Sequence, residues 1–65
     1  MSVFDNIENI VRRGMPNDKG EIIDDFSFGS MGVRFSYMIH YNFSFLEFFS
    51  KEELISWFWE NGWEI

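Results

Sequence analysis

The sequence predicts an α+β domain in which two helices lie on one face of a small antiparallel sheet. Three observations carry that prediction. Val33, Phe35, Tyr37, Ile39, Tyr41 and Phe43 alternate with Arg34, Ser36, Met38, His40 and Asn42, so one face of a strand is apolar and the other mostly polar. A second alternating segment, with Phe26 and Phe28 opposed to Asp25 and Ser27, precedes it across the glycine-flanked connection Gly29 to Gly32. The segments at either end space their apolar residues at the helical period between recognisable start and stop signals. Together these predict a hairpin of about residues 21–28 and 33–43, an N-terminal helix over about 3–13 and a C-terminal helix over about 51–61.

In the first helix Ser2 is the N-cap, Asp5 stands three residues on, and Val3, Phe4, Ile7, Ile10 and Val11 form the apolar stripe. Arg12 and Arg13 suit the negative end of the helix dipole, and Gly14 supplies a left-handed stop. Residues 16–20 (PNDKG) are turn chemistry throughout. After Phe43 the alternation fails, because Phe45, Leu46, Phe48 and Phe49 follow neither period. Residues 44–49 are therefore compatible with a further short strand or with one helical turn. Ser50 and Glu53 have capping-box spacing, Glu52 and Glu53 sit at the positive end of the second helix, and Asn61-Gly62 ends it. Trp63-Glu64-Ile65 then reads as a terminal strand or as a tail folded back on the helix.

A chain of 65 residues forms one small domain over residues 1–65, and its core only narrowly offsets the entropy of ordering. Domains of this size commonly add disulfides or a metal. Here there is no cysteine and one histidine, while 22% of the residues are aromatic, so dense packing or self-association has to serve instead. The net charge of −6 is uneven: residues 21–65 hold eight carboxylates against Arg34 and Lys51. Such a field repels nucleic acid and anionic lipid and favours basic protein surfaces. The start of the chain lacks a signal peptide's basic and apolar regions, and no run approaches a membrane span, so a cytoplasmic location and no membrane partner are expected.

No catalytic motif is present, and neither an enzyme nor a cofactor is expected. His40 stands on the polar row of its strand, and spacing reveals no nucleophile or carboxylate to work with it. Asp24, Asp25 and Glu21 do not have the offsets of a calcium loop, and Gly29 to Gly32 lacks the lysine of a phosphate-binding loop. Arg12, Arg13 and Lys19 are too few for a nucleic-acid footprint.

What remains is aromatic and acidic surface. On a helical wheel the apolar arc of the second helix runs from Trp57 through Leu54, Phe58 and Ile55 to Trp59, about 200° wide, more than one sheet face covers. Tryptophans at such an edge are typical interface anchors. The expected function is accordingly a non-enzymatic protein-binding module, a small acidic inhibitor or modulator that docks on a basic site of a larger protein. The partner-binding residues expected are Trp57, Trp59 and Trp63, with Glu52, Glu53 and Glu60 steering encounter. By analogy, this combination suits a phage or mobile-element protein aimed at host nucleases or defence complexes, where arrayed carboxylates imitate a phosphate backbone. The alternative is an obligate homo-oligomer, such as a homodimer, whose surplus aromatic surface is buried against itself.

Overall fold

The computed structural model describes residues 2–32 and 34–65; the side chains of Met31 and Arg34 lie outside the description. Five elements follow in order: α1 (Val3–Arg13), β1 (Ile23–Met31), β2 (Arg34–Tyr41), β3 (Ser44–Phe48) and α2 (Lys51–Glu60). The strands form an antiparallel meander in the order β1-β2-β3. The two helices and the hairpin between them are those the sequence predicts.

Local chemistry explains the helix ends. Ser2 Oγ accepts the N–H of Asp5 while the Asp5 carboxylate accepts the N–H of Ser2, both at 3.3 Å, so two otherwise orphan donors are satisfied. Gly14 ends α1 in the left-handed region at φ 60° and returns its N–H to the last turn. Ser50 Oγ accepts the Glu53 N–H at 3.1 Å at the start of α2.

The sheet departs from the sequence reading at its turns. Gly29 and Ser30 belong to β1, which pairs as far as Met31 opposite Arg34, so the reversal is tighter than a four-residue connection. Val33, the expected start of the second strand, lies outside the described residues. At the other end β2 stops at Tyr41 rather than Phe43. Asn42 and Phe43 adopt φ 54° and 63°, and Tyr41 pairs directly with Ser44 across them. Two consecutive left-handed residues match the right-handed twist of a hairpin, and this turn settles residues 44–48 as a strand.

Register places Phe26, Ile39 and Leu46 side by side on one face, with Phe28, Tyr37 and Phe48 as the next row. α1 packs over the β1 side of that face and α2 over the β3 side. Between them lies the core, formed by Ile7, Ile10, Ile23, Ile39, Leu54, Phe58 and Trp63. Because β3 pairs only with Tyr37–Tyr41, the outer part of the β1-β2 hairpin has no third strand beside it. That arm carries Phe28, 59% exposed, stacked on Phe35 with ring centroids 5.7 Å apart.

A polar network fastens the turn after α1 to the end of α2. Asn17, only 8% exposed, donates from Nδ2 to Glu21 Oε1 (3.0 Å) and to the Asn61 carbonyl (2.6 Å). Its Oδ1 accepts the N–H groups of Lys19 (3.0 Å) and Glu21 (2.8 Å). Tyr41 donates its hydroxyl to the same Glu21 Oε1 at 2.5 Å. The buried amide is thus fully satisfied, as a buried polar group must be. Among the described residues no helix is long and apolar enough to cross a membrane.

Candidate functional site

Helical spacing gathers most of the predicted surface residues in one place. Glu53 and Glu60 stand four residues before and three after Trp57, so all three share a side of α2, with Glu52 and Ser56 on the adjoining stripe. β3 runs beside this side and adds Glu47 and Phe48. The result is an open groove of about 530 Å³ between α2 and β3, with Phe48 and Trp57 as aromatic floor and four glutamates around it. Among the described residues no lysine or arginine lines it.

Trp57 is half-buried and rigidly held. Its ring meets Tyr41 edge-on at 5.1 Å, Phe58 edge-on at 5.4 Å and Phe48 at 5.9 Å, and stacks on Trp63 at 5.7 Å. Such edge-to-face contacts fix a ring better than area alone. The indole therefore presents one orientation to the groove, and the carboxylates present their charge across a wall of low dielectric.

The other two tryptophans lie elsewhere. Trp59 is 53% exposed on the opposite edge of the apolar arc and does not line the groove. Trp63 is 3% exposed, packed on Tyr41, Trp57 and Phe58, with Nε1 donating to the Met15 carbonyl at 3.0 Å. It is a core residue that backs Trp57, and it is removed from the surface set. The tail folds back rather than adding a strand, because that hydrogen bond and the core both reward it.

Glu47 is one of the eight carboxylates of the acidic part of the sequence but not one of the partner-binding residues expected from it; its place beside the groove becomes visible only once 44–48 is known to be a strand. A second missed residue is Phe43. A phenylalanine 97% exposed and in the left-handed region is unusual, because bulky side chains are disfavoured there.

His40 lies on the sheet face away from the helices, with Nδ1 3.4 Å from Asp24 Oδ2 and its ring 4.6 Å from Phe45. Among the described residues no cluster of three His, Cys, Asp or Glu side chains has the geometry to hold a metal ion. The Tyr41 hydrogen bond, helped by that of Asn17, holds Glu21 below the usual carboxylate range, while Glu21 and burial push the Tyr41 phenol up to about 12. Comparison with protein-family models, curated proteins and solved structures gives no match to this chain.

Proposed function

We propose that the chain is a non-enzymatic protein-binding module whose α2-β3 groove docks on a basic site of a larger protein. One observation carries this reading: Glu47, Glu52, Glu53 and Glu60 line the groove around the aromatic floor of Phe48 and Trp57, with no cation among the described lining residues. Carboxylates gathered around an aromatic surface favour a positive partner and raise its rate of encounter. A rigid, partly exposed tryptophan supplies the apolar contact, and it adds a cation-π site for an arginine or lysine head group. Inhibition or modulation of the partner, including one whose basic site normally holds nucleic acid, follows from occupying that site.

The test is affinity capture followed by direct titration of the captured protein. Wild-type chain should bind with an affinity that falls steeply as salt rises, and both Glu60→Lys and Trp57→Ala should weaken it at least tenfold while leaving the far-ultraviolet circular dichroism unchanged. Equal binding by wild type and both folded variants would remove the groove from the function.

A further inference from the structure

We propose that two copies of this chain pair along the outer edge of β1, in antiparallel register centred on Phe28, to form a continuous six-stranded sheet. This surface is separate from the α2-β3 groove and does not depend on it.

Among the described residues β1 has one strand neighbour, β2, so its other edge is open to a further strand, with the Phe26 N–H held locally by Asp25. Phe26 donates its N–H to Asp25 Oδ1 at 3.0 Å, which turns that group away from β2. In an antiparallel ladder successive residues alternate inward and outward, so Phe28 and Ser30 also direct their backbone groups outward. The protection of this edge is confined to its first residues, where Asp24, Asp25 and the irregularity from Ile23 to Asp25 lie; β1 contains no proline or lysine.

Charge selects a second copy as the occupant. Between Asp25 and Glu47 the only formally charged residue is Arg34, so two copies meet along this hairpin with few carboxylates opposed, Glu8 beside the groove at Phe28 being the nearest. Pairing centred on Phe28 sets Phe26 against Ser30 and Asp25 against Met31 of the other copy. The two Asp25 residues are then separated by about 20 Å, at ~3.4 Å per residue. Centring on Phe28 also uses the outward residues Phe26, Phe28 and Ser30, whereas centring on Gly29 would require inward ones. A two-fold axis normal to the sheet keeps all four helices on one side. It also runs the α1 flank that borders Phe26, bearing Glu8 and Arg12, in opposite order in the two copies, so unlike charges face.

The apolar surface fits as well. Phe28 of each copy is exposed beside a groove of about 290 Å³ formed with Phe4, Phe26 and Tyr37. In the paired sheet the two Phe28 rings are direct cross-strand neighbours, which covers the mouths of both grooves. The strand order becomes β3-β2-β1-β1-β2-β3, with an acidic groove at each outer end. The dimer is therefore bivalent toward any partner that has two basic sites.

Sedimentation equilibrium across a hundredfold concentration range, with circular dichroism on every sample, tests this. Wild type should form a dimer. Phe28→Lys should be a folded monomer, and because it reduces the net negative charge, general repulsion does not account for the loss. Ser30→Pro removes an outward N–H only, and by symmetry removes two strand-to-strand bonds; at about tenfold each, its dissociation constant should rise on the order of 100-fold. A wild-type chain that stays monomeric to about 1 mM overturns the proposal. So does a dimer that persists in both variants.

Discussion

Asn17→Ala tests the network that closes the fold. The substitution removes four hydrogen bonds at once: two donated to Glu21 Oε1 and the Asn61 carbonyl, and two accepted from Lys19 and Glu21. Each contributes about 0.5–1.5 kcal/mol, and the groups nearest the exposed turn recover water, so the net loss should be about 3 kcal/mol. A domain of this length has a total stability of roughly 3–10 kcal/mol, so the variant should be close to its unfolding limit. Urea titration followed by tryptophan emission reads this directly. With a slope of about 1 kcal/mol per molar for so small a chain, the midpoint should fall by about 3 M. Asn17→Asp keeps the oxygen that accepts from Lys19 and Glu21 but sets a carboxylate beside Glu21 and the Asn61 carbonyl, so it should not rescue. A midpoint within about 0.5 M of wild type in Asn17→Ala would show that the amide only occupies space, and would refute the reasoning.

Further outcomes follow from the same geometry. Tyr41 has a raised folded-state pKa of about 12, so its contribution is complete below the unfolded value of 10.0 and is lost as pH climbs from there to about 12. Glu21 is shifted the other way, so its share is present above 4.5 and disappears as pH falls through its lower folded value. Tyr41→Phe should flatten the alkaline limb in thermal melts recorded against pH. Phe43→Gly should stabilise the domain by about 1 kcal/mol, because the left-handed turn favours glycine and the ring buries nothing, and should raise Tm by ~4–8 °C. Gly62→Ala should destabilise by about 1–2 kcal/mol, since φ is 93° there and the new Cβ would overlap the Asp18 carboxylate. Adding Asp18→Ala should recover only the steric part in a double-mutant cycle.

The helices were legible because their signals are local: Ser2 with Asp5, Gly14, and Ser50 all act within one turn of chain. The β2-β3 turn was not. Phe43 continues the aromatic alternation in sequence, and only the backbone reveals that the chain has already reversed at Asn42. Residues 44–49 defied either period because Phe45 faces the uncovered side of the sheet beside His40 while Leu46 and Phe48 face the core side. For the site, the spacing of Glu53, Trp57 and Glu60 was sufficient to unite them. Trp63 was misplaced because the interaction that buries it, with the Met15 carbonyl, spans 48 residues and leaves no periodic trace.

The Asn42-Phe43 turn also bears on how the molecule moves. β3 is a five-residue edge strand joined to the sheet through two disfavoured torsions, so opening of the sheet is expected to begin there. Amide exchange should accordingly be faster in Leu46 and Phe48 than in Met38, whose N–H faces β1, and Phe43→Gly should slow it. Detachment of β3 carries away Glu47 and Phe48, one wall of the acidic groove, leaving α2 with its own three glutamates. On the proposed function, a partner seated in the groove would clasp the strand back onto the sheet, and the exchange rate of the turn would gauge its occupancy.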